Sequence, residues 1–228
     1  MREAQAQVGT NGSAPAVDFW FEFGSQYSYL SVMRAEDLSR RMGVRVHWKP
    51  FLLGPIFKSF GWSSSPFVLQ KEKGAYTWKD LERQCRKYGL PWKKPSQFPR
   101  SAVLPHRVAL LGAGEHWIGA FCREIMSRNF VRDTDIDSAD VVGEVLEALG
   151  LPAGEIIRAA QSDANKARLR SQTEQAMELG IFGAPTFFAG SEMFWGNDRM
   201  EDAFACCLEQ APQDPLAGTV VAVSAPVQ

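Results

Sequence analysis

The segment Ser25-Gln26-Tyr27-Ser28 has the spacing of a redox motif without its sulfur atoms. It follows an alternating aromatic and acidic run, Val17 to Phe23, and opens an apolar pattern of helical spacing. It therefore sits where a strand passes into a helix. The first turn of a helix carries unpaired N–H groups and the positive end of the dipole, and so favours an anion. Two cysteines at this turn would exchange dithiols. Two hydroxyls cannot form a disulfide, which excludes dithiol exchange by the protein itself at this point. A hydroxyl can still donate a hydrogen bond to a thiolate brought by another molecule, and with the helix dipole it would lower that thiol's pKa. A shift from about 8.5 to about 6.5 raises the ionised fraction at neutral pH from a few per cent to about three quarters. Ser25 also reads as a plain N-cap, and these residues alone leave both roles open.

Two further groups could join it. In Phe182-Gly183-Ala184-Pro185-Thr186-Phe187 a proline enters a strand directly after a helix, a place where it cannot donate to a central ladder. A cis Ala184–Pro185 bond would turn the Ala184 backbone toward the start of the first helix, where it could pair with a bound peptide as an added strand does. A trans proline at a strand's first residue is the plainer alternative. In Phe194-Trp195-Gly196-Asn197-Asp198-Arg199 either Asn197 or Asp198 can cap the last helix, and Asp198 would present a carboxylate suited to an ammonium group. Other signals carry less. Gly112-Ala113-Gly114-Glu115-His116-Trp117 starts like a dinucleotide loop but ends in Trp inside a helical block. His47, His106 and His116 are far apart and do not read as a metal set. No G-x-S-x-G surrounds Ser25, and the basic run Arg83 to Lys94 reads as a solvated helix face.

The elements that must hold these groups follow from periodicity. A strand at 17–23, a helix at 25–42 closed by Gly43, and a strand at 44–51 make β-α-β, with a crossover long enough for parallel strands. A Gly/Pro/Ser-rich loop is expected at 54–66, and helices at about 67–88, 101–128, 137–149, 152–161 and 163–179. Strands return at 185–188 and 192–195 around a Gly190-Ser191 turn, and a last helix is expected from Asn197 to Leu208. The fold class is α/β: a thioredoxin-like sheet, β-α-β … β-β-α, with a large all-helical insertion. Residues 17–53 and 181–210 form the sheet domain, 54–180 the helical lobe with its connectors, and 1–16 and 211–228 are expected to be disordered tails.

Composition narrows the class. The chain has 228 residues, of which 45% are hydrophobic, which excludes disorder along its whole length. Lys and Arg number 25 against 26 Asp and Glu, so nothing favours nucleic acid or an anionic membrane as partner. No apolar run approaches the roughly 20 residues needed to cross a bilayer, and the first 16 residues lack the apolar stretch of a secretory signal. Cys85, Cys122, Cys206 and Cys207 make no C-x-x-C and no zinc spacing. They read as free thiols in a reducing cytosol.

Together the motifs resemble the 2-hydroxychromene-2-carboxylate isomerase family, in the DsbA-like, kappa-class glutathione transferase branch of the thioredoxin fold. The resemblance runs from about Val17 to Leu208. It is carried by Asp18-Phe19 with Ser25 to Leu30, by Lys49 to Lys58, by Trp78 to Arg83, by Gly183 to Phe187 and by Trp195 to Arg199, in that order. It implies an isomerase that uses glutathione as a cofactor without consuming it, acts on a small aromatic enone and serves the degradation of aromatic compounds. It also implies a cytoplasmic homodimer. Ser25 would hold the glutathione thiolate. Ala184 before the cis-proline Pro185 would pair with the cysteinyl part, and Trp195, Gly196, Asn197 and Asp198 would bind the γ-glutamyl end. The substrate would lie near Phe57, Lys58 and Phe98, with no metal. Two positions depart from the pattern: Gln26 stands where many relatives have Pro, and Val68 where they carry an Asn able to hydrogen-bond a substrate oxygen. A Val there implies an apolar wall and a less oxygenated substrate. A kappa-like transferase or peroxidase that consumes glutathione, or a non-catalytic glutathione-binding module, are the alternatives.

Overall fold

The computed structural model describes residues 14–211. The expected tails therefore lie outside the described residues except at 14–16 and 211. Strand β1 (Ala16–Phe21) leads through Ser25 into helix α1 (Gln26–Met42), which Gly43 ends in the left-handed conformation at φ 67°. Strand β2 (Arg45–Pro50) then lies parallel to β1, with Phe19 opposite Trp48. The chain next leaves the sheet for eight helices: α2 (Leu53–Ser59), α3 (Pro66–Leu69), α4 (Lys71–Tyr88), α5 (Val103–Leu111), α6 (Ile118–Phe130), α7 (Ala139–Ala148), α8 (Ala153–Ala160) and α9 (Asp163–Glu178). It returns as β3 (Thr186–Ala189) and β4 (Glu192–Trp195), and ends with a 3₁₀ turn at Asn197–Arg199 and helix α10 (Met200–Gln210). The sheet order is β2-β1-β3-β4, with β3 antiparallel to both β1 and β4.

The alternation of β1 decides what each face packs against. Phe19 and Phe21 point to one side, where Phe19 stacks on Phe187 at 4.8 Å and Phe21 meets Trp48 edge-on at 5.5 Å. Leu30 of α1 and Met200 and Phe204 of α10 belong to the same cluster, which continues without a break into α4 to α8. Trp20 points the other way, into a smaller cluster with Phe51, Ile56 of α2, Ala176 of α9 and Phe188.

Three boundaries differ from the sequence expectation. The 54–66 loop is partly helical, because α2 and α3 occupy its two ends. The helix expected from 67 starts only at Lys71, since Ser65 caps the separate turn α3. The helix expected across 101–128 is two, broken between Leu111 and Ile118. The break has a packing cause: Trp117 folds over Gly112 so closely that a Cβ there would sit 2.1 Å from its ring. The Gly112-to-Trp117 motif is thus a helix breaker.

Candidate active site

Ser25 takes the N-cap position of α1 with extended backbone, φ −84° and ψ 119°. Its Oγ accepts the N–H of Ser28 at 3.2 Å, and its O–H donates to the carbonyl of Ala184 at 2.8 Å. That second bond joins residues 159 apart in the chain. The Ala184–Pro185 peptide is cis, as expected, and the Pro185 carbonyl accepts the N–H of Gly196 at 3.0 Å. So the helix start, the proline turn and the end of β4 meet at one point.

They form one end of a cleft of about 1490 Å³. This exceeds the roughly 300–1,000 Å³ of a site for one drug-sized ligand. The structure brings Ser25, Ala184, Pro185, Trp195, Gly196, Asn197, Asp198, Phe57, Lys58 and Phe98 to its walls. Phe57 and Lys58 arrive on α2, and Phe57 packs on Trp62 at 5.7 Å. Phe98 comes from the proline-rich connector and meets Trp78 edge-on at 4.8 Å. The Phe98–Pro99 bond is also cis, which the sequence reading missed.

Val68 corrects the expectation. It is 43% exposed and lies outside the cleft lining, while its neighbours Ser65, Pro66 and Phe67 are part of it. Ser65 caps α3 and Pro66 starts it, and this single turn packs Phe67 against Tyr27 at 6.2 Å. Val68 therefore cannot give the cleft an apolar wall. Asn197 lines the cleft, but its side chain is committed elsewhere. Its Oδ1 accepts from Ser31 Oγ at 3.1 Å and from Arg34 Nη1 at 3.0 Å. Only its backbone is left to a ligand. Trp195 stands half exposed at the rim, packed on Phe182 at 4.8 Å, and Asp198 is exposed and pairs with Arg199 at 3.3 Å.

Sequence reasoning missed several polar groups of the same cleft. The Tyr27 O–H donates to Asp80 Oδ2 at 2.8 Å, and burial together with that carboxylate holds the phenol above its usual range. Arg100 is buried and donates to Asp133 Oδ1 at 2.7 Å, Thr134 O at 2.7 Å and Asn129 Oδ1 at 3.3 Å. The Ser96 N–H and the Arg100 guanidinium hold the Asp133 carboxyl well below the usual carboxylate range. Asn129 in turn donates to the carbonyl of Phe23 at 2.9 Å. Glu22, directly after β1, has its carboxyl pushed up to about 8 by burial, against the pull of the Gly24 and Ser25 N–H groups. An acidic residue three before Ser25 was the available signal, but nothing local told that it would be buried. The four cysteines are free and lie outside the lining, and burial pushes the Cys85 and Cys207 thiols up to about 11. Among the described residues, no three His, Cys, Asp or Glu side chains gather to hold a metal ion, and no helix is long and apolar enough to cross a membrane.

Comparison with known proteins points the same way. The sequence profile of the DSBA-like thioredoxin domain matches residues 16–204. The chain is similar to the 2-hydroxychromene-2-carboxylate isomerase of Sphingobium xenophagum, 31% identical over 188 residues, 81% of this chain and 94% of that protein. It is also similar to glutathione S-transferase kappa 1 of Rattus norvegicus, at 25% identity over 83% of this chain and 90% of that one. The solved structure of a 2-hydroxychromene-2-carboxylate isomerase superposes with a TM-score of 0.77 at 27% identity, covering 86% of this chain and 97% of the other.

Proposed function

Because the chain belongs to the DsbA-like thioredoxin family, and within it to the 2-hydroxychromene-2-carboxylate isomerases, we propose that it is a glutathione-dependent isomerase of an aromatic enone. The observation that carries this reading is the Ser25 cap bonded to the carbonyl before a cis proline, with no thiol in the cleft. A redox protein needs a dithiol there, and this chain must obtain its sulfur from a ligand.

The residues fit such a ligand. The cleft has room for a tripeptide and a ring system together. Ser25 Oγ and the N–H groups of the first turn of α1 would hold an anionic sulfur. The backbone beside Ala184 would pair with the cysteinyl part, and Trp195, Gly196, Asp198 and the backbone of Asn197 would hold the γ-glutamyl end. When bound, glutathione supplies a sulfur nucleophile that adds reversibly to a conjugated enone, so that a double bond can rotate. The Ser25 O–H, which donates to Ala184 O, would turn to that sulfur and lower its basicity. Phe57 and Phe98 would give the aromatic part an apolar wall, and Lys58 would supply a cation for a substrate carboxylate. The similarity to kappa-class transferases favours, as a second reading, a reaction that consumes glutathione.

Mass spectrometry after turnover of aryl enones with glutathione separates the readings. The expected product is an isomer of unchanged mass with glutathione intact. A conjugate or glutathione disulfide would mean the transferase or peroxidase, and binding without turnover a binding module. In the same assay Ser25→Ala is expected to lower the rate about 10²-fold, as loss of a charge-stabilising donor does, and to raise the pKa of the bound thiol read from thiolate absorbance. An unchanged thiol pKa would remove Ser25 from this role.

A further inference from the structure

We propose that Glu22 is the acid of this site: its carboxyl lends a proton to the substrate's carbonyl oxygen and takes it back within each turnover. The proposal rests on the isomerase reading and adds a residue to it.

The geometry comes first. Glu22 follows β1, and its carboxyl folds back under the turn that starts α1. Gly24 makes that possible, since a Cβ there would lie 3.0 Å from Glu22 Oε2 and 3.0 Å from the Arg100 carbonyl. The Ser25 N–H donates to the backbone carbonyl of Glu22 at 3.1 Å, which tightens the turn above the carboxyl. Solvent reaches 14% of the side chain, which lines the cleft next to Ser25. A ligand held by Ser25 would lie in the same cleft that Glu22, three residues before it, also lines.

The surroundings keep it neutral. The group at ion-pair distance is His106 of α5, whose Nε2 lies 3.9 Å from Glu22 Oε1. That imidazole is not a cation. Its Nδ1–H donates to Ala102 O at 2.5 Å, its Nε2 accepts the N–H of Phe23 at 3.3 Å, and burial pushes its pKa down to about 4. Asp137 acts on the imidazole, not on the carboxyl. From the connector, Arg100 turns its guanidinium to Asp133, Thr134 and Asn129. From α1 comes only the Ser28 hydroxyl, which accepts the Glu22 N–H at 3.4 Å. Across the cleft α4 contributes Lys73 and the Asp80 bound to Tyr27, α2 contributes Lys58, and the 3₁₀ turn the Asp198–Arg199 pair. Among the described residues none of these cations bonds to Glu22. A buried carboxyl without a counter-charge keeps its proton.

The chemistry uses that proton. As the enone takes an electron pair from the cofactor's sulfur, its carbonyl oxygen becomes basic. The Glu22 O–H bond breaks and an O–H bond forms on that oxygen. The carboxylate left behind lies by the start of α1, where the positive end of the helix dipole favours an anion. When the electron pair returns to sulfur, the proton returns to Glu22. One negative charge moves from sulfur to the Glu22 carboxyl and back.

Glu22→Gln tests this. The variant is expected to bind glutathione within two-fold of wild type by calorimetry, to lose kcat about 10²-fold at pH 7, as removal of a general acid does, and to lack the fall in kcat expected of wild type as pH rises through about 8. Unchanged kcat with that alkaline fall intact overturns the acid role. Stability reads the proton without any ligand. Between the ordinary carboxyl pKa of 4.5 and about 8 the folded wild type holds one proton more than the unfolded chain, so its stability falls as pH rises through that window. The Gln variant has no such loss, and denaturant titrations should show it gaining on wild type from about pH 5 to 8. A difference independent of pH overturns the neutral carboxyl and the proposal with it. If the Gln variant does not fold, Glu22→Asp replaces it, with kcat expected about 10-fold lower and the alkaline fall retained; an undiminished kcat overturns the proposal. Absence of glutathione-dependent turnover in wild type removes the isomerase reading and the acid role together, while the stability titration still reports whether Glu22 is neutral.

Discussion

Gln26 shows how much one residue beside Ser25 can matter. It is fully buried at the first helical position of α1, and neither its side-chain nitrogen nor its oxygen finds a partner. An unpaired buried amide costs roughly 1–3 kcal/mol. The backbone at this point suits proline: the N–H of the first helical residue has no partner within the helix, and Ser25 already has the extended conformation that precedes a proline. Gln26→Pro is therefore expected to stabilise the fold by about 1 kcal/mol, raising Tm by about 2–4 °C for a chain of this length. Differential scanning calorimetry reads the shift. A fall in Tm would show that the amide is paired in solution.

Among the elements, α6 has the task of holding the end of β1 in place. Its Asn129 donates to the Phe23 carbonyl and accepts from Arg100, all within the buried wall behind the cleft. Asn129→Ala would leave that carbonyl unpaired and Arg100 with one acceptor fewer. The expected loss is about 2–3 kcal/mol, read as a lower midpoint in urea with an unchanged slope. Because Phe23 sits between Glu22 and Ser25, kcat should fall more than the affinity for glutathione. A variant of wild-type stability would show that the Asn129 bonds do not anchor the strand end. α3 is a second example at this scale. Four residues of helix, capped by Ser65, turn Phe67 to the cleft and leave Val68 to solvent.

At the scale of the whole molecule, the cleft opens where the parallel pair β1 and β2 ends and the helical insertion begins, the place where open α/β sheets bind ligands. One hydrophobic cluster runs from the sheet into the insertion. The four cysteines are distributed through α4, α6 and α10, away from this cleft, and burial raises their pKa values. A variant with all four replaced by Ala or Ser is expected to keep turnover within about three-fold, since thiols held protonated are poor nucleophiles. Complete loss of activity in a folded variant, checked by circular dichroism, would show that a protein thiol takes part.

What could be read from the sequence is what depends on near neighbours. Ser25 as N-cap, Gly43 as helix end, the parallel β-α-β unit and the hairpin at Gly190-Ser191 each need only residues a few positions away, and all are present. The family resemblance, carried by five short motifs, implied the residues that stand around the cleft with Ser25. What needed the tertiary structure depends on partners far along the chain. Val68 faces solvent because α3 docks Phe67 on Tyr27, and the Asn197 side chain goes to Ser31 and Arg34, more than 160 residues away. Glu22 is an ordinary acid in the sequence. It becomes a neutral one when α5, more than 80 residues on, brings an uncharged His106 beside it and Arg100 turns to Asp133. Burial and counter-charge decide a proton's affinity, and both are properties of the assembled fold.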